Sequence, residues 1–341
     1  MGVRLKDIAR DLGVSVVTVS KVLHGHADIS SDTRKRVLKR AAELNYRPNL
    51  LARSLVTGRS SIIGLIVPDL VHPFFGQIAK ALARVLRAEG YSLVISSSET
   101  DAELEREEIG RLLERHVDVL IVASTQWSVE TFREIEGRGV PYILIDRSFV
   151  GLAANFVGVD DEAAGFLATS HLIDVGCKRI AHIGGARVST AIGRREGFRR
   201  ALLMHNRAVP PEYIIMRQHG EDPGEDTGKE AVRKFLHCSP PPDGIFCYND
   251  PTAMGAMKAI FEAGLRTPDD IAVVGCGNVI YSDFLRVPLT TIDQQSERVG
   301  EEAGALALRL SSTKKPLPPS SILLEPRLVV RESTMRAKTP L

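Results

Sequence analysis

The stretch Leu5-Lys6-Asp7-Ile8-Ala9-Arg10-Asp11-Leu12-Gly13-Val14-Ser15-Val16-Val17-Thr18-Val19-Ser20 decides how this chain is read. Leu5, Ile8, Ala9 and Leu12 recur at helical spacing, and Val19, Val22 and Leu23 share one face of a second helix. Gly13 permits the positive φ that ends the first helix, and Ser15 is placed to cap the second. Two short helices locked at an angle turn the N-terminal residues of the second outward, the geometry of a helix-turn-helix DNA reader. An ordinary helical hairpin has the same spacing, so the pattern alone does not separate the two.

Charge does. Residues 1–60 hold 12 Lys+Arg against 5 Asp+Glu, a net of +7, while the remaining chain holds 32 basic and 37 acidic residues, a net of −5. The modest overall +2 of the 341 residues therefore hides a basic head on an acidic body, the distribution of a phosphate-binding module carried by a domain that does not itself seek nucleic acid. Arg34, Lys35, Arg36, Lys39 and Arg40 decorate a third helix that begins at Ser30 or Ser31 and packs through Val37, Ala41 and Leu44. Some of these cations are expected on phosphates, the rest on a solvated face.

On the residues Asp7-Ile8-Ala9, Gly13-Val14-Ser15, Thr18-Val19-Ser20, Val22-Leu23, Thr33-Arg34, Val37, Glu43-Leu44-Asn45-Tyr46 and Pro48-Asn49, the segment Leu5 to Leu55 resembles the DNA-binding head of the LacI/GalR family of bacterial transcription regulators. The resemblance implies that Val16 and Val17, the first residues of the recognition helix, meet base edges; both are apolar, so they pack on thymine methyls rather than hydrogen-bond. Packing of Val17 inside the head is the alternative. Thr18, Ser20 and Thr33 would hold phosphates. Lys21 stands where the family more often has Arg, offering guanine a donor without the bidentate fork. Residues 48–55 resemble the family's hinge helix, which forms on operator DNA and sits in the minor groove; Asn49, Ala52 and the wedging Leu55 complete the implied DNA-contacting set. Eight residues are too few for a stable isolated helix, so a plain linker is the other reading.

Beyond residue 60 apolar runs alternate with helical stretches, twice over. Ile62–Val67, Tyr91–Ile95, Val119–Val122 and Tyr142–Ile145 form the first series, and Ile180–Ile183, Tyr213–Met216, Gly244–Cys247 and Ile271–Val274 the second. Buried parallel strands with crossover helices explain both. The expected fold is a small all-α head with a hinge helix, then an α/β body of two doubly wound lobes resembling the periplasmic-binding-protein fold of the same family's effector domain. The boundaries are 1–47 for the head, 48–60 for hinge and linker, 61–158 plus about 290–320 for the first lobe, 159–289 plus about 321–333 for the second, and 334–341 for a tail. Leu289-Thr290-Thr291-Ile292 reads as a strand crossing back to the first lobe, with Ile322 to Val330 returning to the second.

A cleft between such lobes lies at strand ends and takes a small ligand. Phe74 and Phe75 resemble the family's aromatic platform, with core packing as the alternative. Trp127, the only tryptophan, follows the third strand. Asp146, Arg194 and Asn249 would supply hydrogen bonds from both lobes, unless they serve as ion pairs or loop caps. Where sugar-responsive members commonly carry an aspartate, this chain has Gly277 within Val274-Gly275-Cys276-Gly277-Asn278; Gly277 offers no acceptor, and Asn278, His72 or Gln294 would have to compensate. A sugar or sugar derivative is the expected effector, with a phosphorylated sugar, a sugar acid or a nucleobase suited to Arg194 and Arg147.

No catalytic constellation, metal site or cofactor is expected. Gly224-Glu225-Asp226-Thr227-Gly228-Lys229 is one residue short of a phosphate-binding loop, and the four cysteines lack zinc spacing. His24-Gly25-His26 has no further ligand nearby. A secreted solute-binding protein would open with an apolar signal, whereas the first twenty residues are charged and amphipathic. A doubly wound enzyme lacks its motifs. The expected protein is a cytoplasmic homodimer on a pseudo-palindromic operator, a regulator and more often than not a repressor, with no membrane partner.

Overall fold

Helix α1 (Leu5–Leu12) stops at Gly13, whose φ of 66° no β-carbon obstructs, and the chain re-enters helix α2 (Val16–Leu23). Ser15 Oγ accepts the Thr18 amide at 3.0 Å, the cap expected there. Ser30 likewise accepts the Thr33 amide at 3.3 Å at the start of α3 (Ser31–Glu43). Ile8, Ala9, Val19, Val22, Val37 and Ala41 close the core among the three helices. The computed structural model describes residues 3–23, 28–46, 59–217, 224–313 and 317–336. The chain forms one unit up to Ser60 and another from Ser61 onward, each considered by itself. The expected hinge contacts Asn49, Ala52 and Leu55, and the His24-Gly25-His26 stretch, lie outside the described residues.

In the second unit, the expected apolar runs form two six-stranded sheets. Strands β1 (Ile62–Val67), β2 (Ser92–Ser97), β3 (Val119–Val122), β4 (Tyr142–Ile145) and β5 (Asn155–Val159) make the first lobe with helices α4 (Pro73–Ala88), α5 (Ala102–Glu114) and α6 (Glu130–Gly137). The second lobe follows as α7 (Asp161–Asp174), β6 (Ile180–Gly184), α8 (Ser189–Met204), β7 (Ile214–Met216), α9 (Glu225–Phe235), β8 (Gly244–Cys247), α10 (Asp250–Glu262), β9 (Ala272–Cys276) and β10 (Thr290–Asp293). Helix α11 (Ser296–Ser312) returns to pack on α4, β11 (Ser321–Leu324) joins the first sheet and β12 (Arg327–Val329) the second. The orders are β11-β5-β4-β3-β1-β2 and β12-β10-β9-β8-β6-β7, all parallel except the β10–β12 pair. Strands such as β3 and β8 are buried along their length, as crossover helices on both faces require.

One expected crossing is corrected. Thr290–Ile292 does not leave the second lobe but pairs in parallel with β9, and Ser321–Leu324 pairs with β5 of the first. The lobes therefore exchange chain after Val159, after Asp293 and after Leu324. Apolar runs at 290 and 322 fit either sheet equally; pairing was decided by side chains, since Thr291 Oγ1 binds buried Asp250 at 2.5 Å and the Thr290 amide binds Ser333 Oγ at 2.8 Å, both within the second lobe.

Glycine brings the second lobe's helices together. A β-carbon at Gly165 would lie 2.0 Å from the Arg194 carbonyl oxygen and one at Gly197 2.0 Å from that of Glu162, so α7 and α8 touch backbone to backbone. Gly228 and Gly255 do the same for α9 and α10, at 2.1 and 1.9 Å.

Candidate functional site

In the head, Val19 and Val22 are buried while Val16 and Val17 are 45% and 64% exposed, so Val17 does not pack inside. Burial of every third or fourth residue forces the intervening valines outward, onto the face where a recognition helix meets a groove. Lys21 ion-pairs with Asp28 on the neighbouring loop. Among the helix α3 cations, Arg40 bonds Asp11 at 3.0 Å through Nε and Glu43 at 3.0 Å, and Arg36 donates to the Leu12 carbonyl at 3.2 Å. These two brace the head, whereas Lys35 and Lys39 are exposed.

In the body, a cavity of about 490 Å³ opens at the C-terminal ends of both sheets, where doubly wound sheets bind ligands. Pro68 and Asp69 follow β1, Glu99 and Thr100 follow β2, and Asp146 and Arg147 follow β4. From the second lobe come Arg194 on α8, Arg217 after β7, Tyr248 and Asn249 after β8, and Gln294 after β10. Seven of the nine expected ligand residues line this one chamber: His72, Phe74, Phe75, Asp146, Arg194, Asn249 and Gln294.

Each is held by the fold. His72 caps α4, its Nδ1 3.4 Å from the Phe74 amide, and its Nε2 lies 3.4 Å from Asn249 Nδ2 of the other lobe. Burial pulls the His72 imidazole down to about 4, so it is neutral at pH 7. A neutral ring has one lone pair, so it accepts from the cap or from Asn249, not both. Phe74 and Phe75 are 4% and 6% exposed and stack edge-on at 5.2 Å; core packing takes most of each ring and leaves a small part to the cavity. Asn249 is both lining and cap, its Oδ1 accepting from the Thr252 amide at 2.9 Å and hydroxyl at 2.7 Å.

Arg194 is buried and donates from Nε to Asp161 at 2.9 Å and from Nη1 to the Tyr248 carbonyl at 2.7 Å, with its guanidinium over the Tyr248 ring at 4.7 Å. The ion pair is formed, and these bonds orient the group and leave Nη2 uncommitted among the described residues. Asp146 sits at φ 63°, a strained position for a non-glycine residue. Burial raises its pKa, and its nearest cation is Arg147, Nε to Oδ2 at 3.7 Å.

Two expected residues stay out. Trp127 is 56% exposed because the preceding loop is drawn onto α5, where buried Glu105 accepts from Ser124 Oγ at 2.6 Å and from the Thr125 amide and hydroxyl at 2.6 and 2.8 Å. Asn278 turns to Arg331, accepting from Nη2 at 2.9 Å. Glu99, Thr100, Arg217 and Tyr248 line the cavity and were not singled out from the sequence, although each stands just after a strand, the signal that marked Asp146 and Asn249. Among the described residues no cluster of His, Cys, Asp or Glu could hold a metal, and no helix is long and apolar enough to cross a membrane.

Residues 4–49 match the pattern described as bacterial regulatory proteins, lacI family, and residues 169–334 that of a periplasmic binding protein-like domain. The chain is 34% identical over 334 residues to the ribose operon repressor of Halalkalibacterium halodurans, covering 97% of this chain and 96% of that one. It is 33% identical to the transcriptional repressor PurR of Histophilus somni, over 96% of this chain and 98% of that protein. Among solved structures, the lac repressor dimer bound to operator and the anti-inducer ONPF superposes with a TM-score of 0.86 at 29% identity, over 98% and 99% of the two chains. The regulator CelR in complex with cellobiose superposes with a TM-score of 0.74 at 28% identity, over 97% and 99%.

Proposed function

The chain belongs to the LacI family of bacterial regulatory proteins, DNA-binding transcription regulators with an effector-binding domain, and on that premise we propose how its own residues do the work. The reading is carried by one observation: side chains from both lobes, and from both sheets' strand ends, line a single chamber of about 490 Å³. A ligand held by Asp146 on one side and by Arg194 and Gln294 on the other has contacts in both lobes only for one relative arrangement of them. Its binding free energy shifts the population toward that arrangement.

The exposed Val16 and Val17 read base edges by van der Waals fit, with Thr18, Ser20, Lys21 and Thr33 around them and Asn49, Ala52 and Leu55 in the minor groove. The operator is pseudo-palindromic and read by a homodimer. The protein acts as a repressor in the cytoplasm, with a sugar or sugar derivative as effector.

Selection of bound sequences from a random duplex pool by the full chain, followed by titration of the winning site with small molecules, tests this. A palindrome whose affinity changes with one compound supports the reading. Enrichment of no sequence, or of one that no compound affects, overturns it.

A further inference from the structure

The cavity's inner wall carries guanidinium groups whose donors are only partly used by the protein. Arg194 has spent Nε and Nη1 on Asp161 and the Tyr248 carbonyl, which leaves Nη2. Arg147 lies at the same wall, its side chain 15% exposed; Nη1 donates to the Ser124 carbonyl at 2.9 Å and Nε is buried without a hydrogen-bond partner. Gln294 is 4% exposed, and no hydrogen bond to its amide is made among the described residues. Asn249 has given its oxygen to Thr252, and its Nδ2 lies 3.4 Å from His72 Nε2.

Three carboxylates line the cavity, and Asp146 is the one beside Arg147. Asp161 is consumed by Arg194, Asp69 accepts the Val71 amide of its own turn at 2.7 Å, and Glu99 is exposed at the rim. Gly277 has no side chain and, at φ 138°, a backbone that resists one. Arg147, Arg194 and Arg217 all line this one cavity together with His72.

A neutral hydroxyl can accept from these donors, but only an oxyanion gives the guanidiniums charge-assisted hydrogen bonds. We propose that the effector is an anionic polyol, a sugar derivative whose carboxylate or phosphate takes hydrogen bonds from Arg147 and Arg194 while its hydroxyls donate to Asp146. This rests on the reading of the cavity as the effector site. Guanidinium to oxyanion is the stronger class of hydrogen bond, and the ligand supplies the anion for these donors.

Calorimetry on the full chain with matched probes tests it: glucose, gluconate, glucuronate and glucose 6-phosphate; ribose, ribonate and ribose 5-phosphate; and adenine and hypoxanthine. At least one anion should bind on the order of 10- to 100-fold more tightly than its neutral parent, and Arg147→Gln should erase that ratio while Arg147→Lys keeps part of it. The carboxylate and phosphate arms separate the two sources of charge. A neutral sugar or a purine as the tightest ligand, the absence of any anion binding, or an anion preference that survives both Arg147→Gln and Arg194→Gln overturns the proposal. Operator binding with the same probes separates the two readings: an anion that binds without altering operator affinity sinks the effector assignment and leaves the ligand class standing, and a neutral compound that alters it does the reverse.

Discussion

Gly197→Ala tests whether helix contact at bare backbone positions Arg194. The new methyl would lie 2.0 Å from the Glu162 carbonyl oxygen and 2.6 Å from the Phe166 amide nitrogen, both main-chain atoms with no rotamer to yield. Ordinary contact starts at 3.4 Å, so α7 and α8 must part by about 1.4 Å. Overpacking of this kind costs about 3 kcal/mol, and the better helix propensity of alanine returns about 1. The net of about 2 kcal/mol corresponds to a fall in Tm of roughly 3–4 °C for a body of this size. The same parting lengthens the 2.9 Å bond from Arg194 on α8 to Asp161 on α7, so ligand affinity falls with stability. Gly110→Ala is the control: in the middle of α5 a β-carbon there meets nothing within 4 Å, and the propensity gain raises Tm. Thermal unfolding of the two variants beside the parent decides the matter. A Gly197→Ala protein at or above the parent Tm refutes the close-contact reasoning.

Other outcomes follow from single groups. His72 and His182 are held neutral by burial down to about 4, against 6.5 when unfolded, so their contribution is complete above pH 6.5 and lost as pH falls toward 4. For each the loss approaches about 3 kcal/mol; denaturant unfolding at pH 7 and pH 4.5 should show it, and an identical pH slope in His182→Gln would contradict it. Asp250→Ala strands the Val279 amide and the Ser282 and Thr291 hydroxyls, which the buried carboxylate accepts at 2.8, 2.9 and 2.5 Å, and should lower stability by about 3 kcal/mol. Unfolding midpoints within error of the parent would show that the donors find other partners. Exchanging Val16 and Val17 together for Gln and Asn should change the sites recovered from a random duplex pool, and an unchanged consensus removes them from base reading. Lys35→Gln and Lys39→Gln should each flatten the dependence of log affinity on log salt by about one charge; a slope equal to the parent's takes that lysine off the phosphates.

Much of the candidate site was readable because its positions obey a local rule. Asp146 and Asn249 each follow a buried apolar run, and a strand end in a doubly wound sheet is where a cleft opens. Trp127 obeys the same rule and is nevertheless outside, since Glu105, some twenty residues earlier, captures its loop through three hydrogen bonds. Arg217 and Tyr248 obey it too and were passed over, because in sequence they are one more arginine and one more tyrosine.

What the amino-acid sequence determined alone is whatever depends on neighbours a few residues away. That covers the two-helix pattern around Gly13, the basic head, and the double alternation of strands and helices. What the tertiary structure decided is partnership at long range. It assigned Thr290–Asp293 to the second sheet, clamped Arg194 between Asp161 and Tyr248, and used Gly165 and Gly197 to draw two helices into contact. The reason is physical: periodicity and capping are written in consecutive residues, whereas a hydrogen bond between residues 161 and 194, or a strand register between 274 and 290, is chosen by which distant groups are left buried without a partner.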